Sequence, residues 1–183
     1  MILFLNACPR TDSRTAFLAR KLLTGLGEYE ELTLREESLL PMSEERLARR
    51  TALLQAGRYD HPDFALPRQF AAADTVVIAA PYWDYSFPSL LKLYIENIYA
   101  VGIVSRYDEN GMPQGLCKAR KLYYVTTAGG PYDGRFSFEY IKALAQNCFG
   151  IPEVNLIKAE MLDVEGFDAA AILREAVARY GLE

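Results

Sequence analysis

The sequence predicts an α/β fold: a doubly wound, five-stranded parallel sheet with helices on both faces. Three observations predict it. Ile2–Leu5, Thr75–Ala79 and Leu122–Thr126 are nearly continuous apolar runs of strand length, as expected of strands covered on both sides. Segments with helical spacing alternate with these runs, which implies βαβ units and right-handed crossovers. The 183 residues, 51% apolar and 24% charged, suit one domain spanning 1–183 with a sizeable core.

The elements follow in chain order. Ile2–Leu5 is the first strand. Ser13–Leu26 carries Phe17, Leu18, Leu22 and Leu26 along one helical face. Glu31–Leu34 is a second, shorter strand. Ser43–Ala56 is a charged amphipathic helix, and Asp63–Ala73 is a short helix leading into the third strand, Thr75–Ala79. Phe87–Val101 is apolar nearly all round, with only Lys92, Glu96 and Asn97 clearly polar, and Pro88 falls in its first turn. Gly102–Cys117 interrupts the alternation: Asp-Glu-Asn-Gly followed by Met-Pro reads as a hairpin over the sheet edge. Its acidic cluster lacks calcium-loop spacing. Leu122–Thr126, the helix Phe136–Phe149, the strand Val154–Ala159 and the helix Asp168–Tyr180 complete the chain.

Composition removes several classes of function. A net charge of −4 with scattered Lys and Arg gives no basic track for nucleic acid. Three separated cysteines suit reduced thiols in a cytoplasm. Leu5-Asn6-Ala7-Cys8 superficially resembles a lipoprotein cleavage site, but no positive or apolar leader of normal length precedes it. No segment approaches the ~18 apolar residues of a membrane span. The expectation is a soluble, cytoplasmic protein without nucleic-acid or membrane partners. His61 is the sole histidine and sits in a loop-like stretch, and no Cys-x-x-Cys pair exists, so histidine triads and zinc sites are disfavoured. Cys8 reads as a small buried residue rather than a nucleophile.

In an open parallel sheet, ligands bind beyond the carboxyl ends of the strands. Three stretches follow such ends. Asn6 to Thr15 leaves a strand, turns polar and enters a helix near Ser13. It lacks the Walker and Gly-x-Gly-x-x-Gly patterns. Its free N–H groups, the hydroxyls of Thr11, Ser13 and Thr15, and the charges of Arg10 and Arg14 suit a phosphate; the same residues also suit an ordinary N-cap. Thr126-Thr127-Ala128-Gly129-Gly130 allows close backbone approach to a ligand, or is simply a loose turn. Pro81-Tyr82-Trp83-Asp84-Tyr85 holds aromatics at a strand end with exposed backbone N–H groups. That arrangement suits a planar heterocycle, or core and interface filling.

Together these stretches resemble the flavodoxin-like NAD(P)H-dependent oxidoreductases, the family of quinone reductases and FMN-dependent NADH-azoreductases. The family's Asn-Gly-Ser-Pro-Arg and Ser-x-Thr are similar to Asn6-Ala7-Cys8-Pro9-Arg10 and Ser13-Arg14-Thr15. Its Ala-Pro-Met-Tyr-Asn-Phe and Pro-x-x-Leu-Lys are similar to Ala80 to Tyr85 and Pro88 to Lys92. Arg106 to Gly111 and Gly115-Leu116 resemble the azoreductases' Arg-Tyr-x-Glu-Asn-Gly and Gly-Leu, and Thr126 to Gly130 their Thr-Ser-x-Gly-Gly. The matches run in one order over nearly the whole chain. Two positions depart: Cys8 replaces a serine, and Ser105 stands where azoreductases carry phenylalanine.

The resemblance implies a single flavodoxin-like domain binding FMN. Arg10, Ser13, Arg14 and Thr15 would hold its phosphate. Pro81, Tyr82, Trp83, Asp84 and Tyr85 would wall the isoalloxazine ring, and Thr127, Gly129 and Gly130 would meet its pyrimidine edge. It further implies a homodimer, with helix 87–101 at the interface. The implied activity is FMN-dependent NAD(P)H oxidoreduction, in which NADH or NADPH passes hydride through flavin N5 to a planar quinone-, azo- or nitro-type acceptor by ping-pong turnover. No dedicated acid or base is expected. The alternatives are a flavodoxin-like electron carrier that binds FMN without its own NAD(P)H reaction, and a flavin-free structural domain on the same fold.

Overall fold

The computed structural model describes residues 1–182. Its strands are β1 (Ile2–Asn6), β2 (Tyr29–Thr33), β3 (Thr75–Ala79), β4 (Ser105–Tyr107), β5 (Pro113–Gly115), β6 (Lys121–Thr127) and β7 (Glu153–Ala159). Its α-helices are α1 (Arg14–Leu26), α2 (Glu44–Gln55), α3 (Ala65–Ala72), α4 (Ser89–Ile98), α5 (Phe138–Leu144) and α6 (Ala169–Arg179). Five strands pair in parallel in the order β2-β1-β3-β6-β7, while β4 and β5 form a separate antiparallel hairpin. Strand order reverses between β1 and β3, which places a crevice beyond Asn6 and Ala79, residues in register with each other.

Alternation along the central strands explains both layers. Leu3, Leu5, Val76, Ile78, Leu122 and Tyr124 point to one side and pack with Phe70, Leu91, Tyr94, Ile98 and Phe149 from the α3, α4 and α5 side. Phe4, Val77, Ala79, Val125 and Ile157 point to the other and meet Ala16, Leu18, Leu22 and Leu23 of α1 and Ala176 of α6. Burying each large apolar side chain contributes roughly 1.5–3 kcal/mol relative to exposure.

Some sequence expectations shift. Pro88 is the N-cap residue of α4 rather than part of its first turn, because its extended backbone (ψ 142°) precedes helical geometry. The helix ends at Ile98. Asn97, one of the polar residues of this helix, is buried: its amide donates to the carbonyls of Leu40 and Leu93 and its oxygen accepts from Arg46. The segment 62–64 is a 3-10 turn ahead of α3. Helix 136–149 is composite: a 3-10 turn, α5, then a π turn over 145–149. Ser105, the first residue of β4, is buried, and its carbonyl accepts from the Gly102 N–H.

Candidate functional site

The loops after β1, β3 and β6 converge on one cleft of about 290 Å³ at the switch point. Nine of the expected residues line it: Arg10, Ser13, Arg14, Thr15, Pro81, Tyr82, Trp83, Thr127 and Gly129. Asp84, Tyr85 and Gly130 lie outside the lining. Pro9, Asp12, Ala128, Leu162 and Asp163 also line it, and sequence reasoning missed them. Leu162 and Asp163 come from the loop after β7, whose Met-Leu-Asp-Val stretch carries no glycine or hydroxyl signal to betray it.

The first loop delivers the start of α1. Ser13 is its N-cap, and its Oγ accepts from the Ala16 N–H at 3.3 Å. Capping consumes a hydroxyl lone pair yet leaves the Arg14 and Thr15 N–H groups without a protein acceptor among the described residues. Thr15 is fully buried, and its Oγ1 lies 2.6 Å from Thr127 Oγ1. One hydroxyl proton is spent in that contact, so a single proton of the pair remains to donate elsewhere. Cys8 is absent from the lining: its thiol turns inward and contacts the Ala79 carbonyl at 3.6 Å. Burial raises the Cys8 thiol above its ordinary pKa, partly offset by Ser13, which leaves it a protonated core group.

The second loop is more ordered than a surface turn. Ala80 N–H donates to Val125 O (3.0 Å) and Tyr82 N–H to Thr127 O (2.9 Å), so pairing with β6 continues past the formal end of β3. Trp83 and Ser86 then exchange backbone bonds, at 3.1 and 2.7 Å, around a two-residue turn. Both central residues have positive φ, 50° at Asp84 and 65° at Tyr85, the pattern of a type I′ turn built without glycine. The expectation that this loop exposes backbone N–H groups is therefore narrowed. Those of Tyr82 and Trp83 are used internally. Trp83, 44% exposed, stands on the cleft wall. Behind it the Tyr82 ring meets Tyr132 edge-on at 4.8 Å, and its hydroxyl accepts from the Asp133 N–H at 3.3 Å.

The third loop brings Thr127 to Gly129, and the loop after β7 closes over it. Leu162 N–H donates to Ala128 O, Asp163 N–H to Gly129 O and Met161 N–H to Gly130 O. Arg14 spans the gap: its Nη1 donates to Asp163 Oδ1 at 2.8 Å and to Leu162 O at 3.2 Å. The N–H groups of Gly129 and Gly130 have no protein acceptor among the described residues. Under this edge the Tyr124 hydroxyl and Thr126 Oγ1 are buried without hydrogen-bond partners, and burial raises the Tyr124 phenol well above 10. No cluster of three or more metal-ligating side chains occurs among the described residues. An apolar space of about 10 Å³ between Leu5, Phe70 and Tyr94 is a packing void deep in the core, remote from these polar groups.

A parallel sheet with this strand order, carrying an open polar cleft at its switch point, defines a class of α/β ligand-binding domain. The chain belongs to the family described as Flavodoxin-like fold, which matches residues 1–182. Among curated relatives, the FMN-dependent NADH:quinone oxidoreductase 2 of Clostridium acetobutylicum is 36% identical over 184 residues, covering 94% of this chain and 90% of that protein. An FMN-dependent NADH:quinone oxidoreductase of Coprothermobacter proteolyticus is 30% identical, covering 96% and 94%. Among solved structures, an azoreductase from Bacillus anthracis superposes with a TM-score of 0.82 at 21% identity, covering 97% of this chain and 95% of that one. An FMN-dependent NADH-azoreductase of the same organism, solved in complex with FMN, gives 0.77 at 22%, covering 97% and 94%. The structural likenesses establish the fold.

Proposed function

We propose that this chain is an FMN-dependent NADH:quinone oxidoreductase. The observation that carries the reading is the convergence of three strand-exit loops on one cleft with unpaired N–H donors at both ends. The donor set fits a phosphorylated flavin. The phosphate end offers the N–H groups of Arg14 and Thr15, the positive end of the α1 dipole, and Arg10. The other end offers the Gly129 N–H group for the pyrimidine edge, with the unpaired Gly130 N–H just outside the lining. Full-length likeness to quinone oxidoreductases supports the same assignment.

FMN, when bound, supplies the hydride chemistry between nicotinamide and acceptor. The protein's part is placement and electrostatics. Pro81, Tyr82 and Trp83 form a wall whose backbone is held to β6 at Tyr82 and closed on Ser86 at Trp83, so the aromatic surface is set before any ligand arrives. The Gly129 N–H is a preorganised donor toward negative charge at the pyrimidine edge. With the cleft open to water, protons can come from solvent, and no side chain need act as dedicated acid or base. NADH or NADPH and then a quinone-, azo- or nitro-type acceptor would use the same open face in turn, giving ping-pong kinetics. A homodimer in the cytoplasm completes the proposal. No helix among the described residues is long and apolar enough to cross a membrane.

The test is anaerobic spectroscopy with added FMN. The expected outcome is a bound flavin whose ~450 nm absorbance bleaches with NADH and returns on adding a benzoquinone. Failure to bind FMN overturns the assignment. Binding without bleaching by NADH or NADPH favours an electron carrier instead.

A further inference from the structure

The acid opposite the phosphate end of the cleft is held in place by more than its salt bridge. Asp163 donates its N–H to Gly129 O at 2.9 Å, and its Oδ2 occupies the space a Cβ at position 129 would need, 2.5 Å from that point. The flanking bonds from Met161 and Leu162 to the same loop fix its backbone. Its carboxylate thus sits between the glycine edge and Arg14, at 2.8 Å from Nη1. The two side chains are 44% and 66% exposed, so the pair adds little to folding. Its effect falls on what enters the cleft. A lining of Arg10 and Arg14 against Asp12 and Asp163 carries formal charges that cancel, although the helix start beside them is built for an anion.

We infer that Asp163 is an internal counter-anion that competes with a bound phosphate for Arg14, and so limits how tightly the cleft holds a phosphorylated flavin. The inference rests on the flavin reading above and adds an affinity-setting residue to it. A phosphate seated at the α1 start must share Arg14 with a carboxylate or displace it, and like charges at such range repel. The penalty falls chiefly on the phosphate, which carries formal negative charge; riboflavin carries none. FMN is consequently an exchangeable group here, held less tightly than the donor set would allow.

The experiment is titration of FMN and riboflavin into wild type, Asp163→Asn and Asp163→Ser, followed by quenching of flavin fluorescence. Both variants are expected to bind FMN about 5-fold or more tighter, with riboflavin changed by less than about twofold. Their FMN affinity should also fall more steeply with salt, because the cleft is then net positive. Unchanged or weakened FMN binding in both variants, or an equal gain for riboflavin, overturns the inference while leaving the flavin reading standing. Failure of all three proteins to bind either flavin overturns the flavin reading and this inference with it.

Discussion

Thr15 shows how a residue can sit at a site while its hydroxyl is committed to the fold. Its contact with Thr127 at 2.6 Å ties α1 to β6 in a fully buried setting. Thr15→Val keeps the shape, removes one hydroxyl and strands the other. It should lower stability by about 1–3 kcal/mol in urea unfolding, while Thr15→Ser should cost much less. Cys8 and Cys117 are equally structural. Burial pushes the Cys117 thiol up to about 12, so it stays protonated and slow to alkylate at neutral pH. Asp84 and Tyr85 tell the opposite story, since each stores left-handed backbone strain of order 1 kcal/mol. The strain persists because Trp83 and Ser86 are locked by paired backbone bonds and Ser86 Oγ donates to Phe136 O at 2.8 Å. Tyr85 then stands 64% exposed at the rim, beside the cleft rather than in its wall.

At the scale of elements, the β4–β5 hairpin is fastened to the body through two glycines. A Cβ at Gly115 would lie 1.9 Å from the Gly150 nitrogen and 2.0 Å from the Phe149 carbonyl carbon. Both neighbours are backbone at the end of the π turn that follows α5, so no side chain can move aside. Gly115→Ala should therefore lift the hairpin and destabilise the protein by about 3 kcal/mol or more, read as a lowered thermal midpoint. The periodicity of helix 87–101 indicated an apolar element but did not reveal that buried Asn97 would anchor the segment around Leu40. Likewise α2 reads as amphipathic, yet Arg50 is its one buried residue, stacked over Phe64 at 5.2 Å.

Across the whole molecule, the two ends of the sheet divide the labour. The carboxyl ends of β1, β3 and β6 carry the cleft; the amino ends carry a charge clasp. There Asp74, just before β3, pairs with Lys118 at 2.7 Å and with the Met1 amino group, and these two cations hold its carboxyl at a pKa of about 2, below its usual 3.8. A depressed carboxyl stabilises the fold above the unfolded pKa and loses that contribution as pH falls through the folded one. Asp74→Asn should thus be less stable than wild type at about pH 7, and the gap should close between about pH 4 and pH 2 in parallel urea titrations. Because the pair is exposed, the gap should also shrink at high salt.

The sequence by itself determined the layer order. Short apolar runs alternating with helical segments read as strands covered on both faces, and ligands bind beyond the carboxyl ends of such strands, which marks the polar exits after the first, third and fourth runs. The loops quoted as Asn6–Thr15, Pro81–Tyr85 and Thr126–Gly130 were legible for that reason. Only the tertiary structure decided which of their groups are free. Long-range pairing consumed the Tyr82 N–H group, the Thr15 and Thr127 hydroxyls closed on each other, and Asp163 arrived from the sheet's far edge to meet Arg14, 149 residues earlier in the chain. No local pattern records a partner that distant, because the contact is made by the crossover of whole βα units and not by the spacing of neighbouring residues.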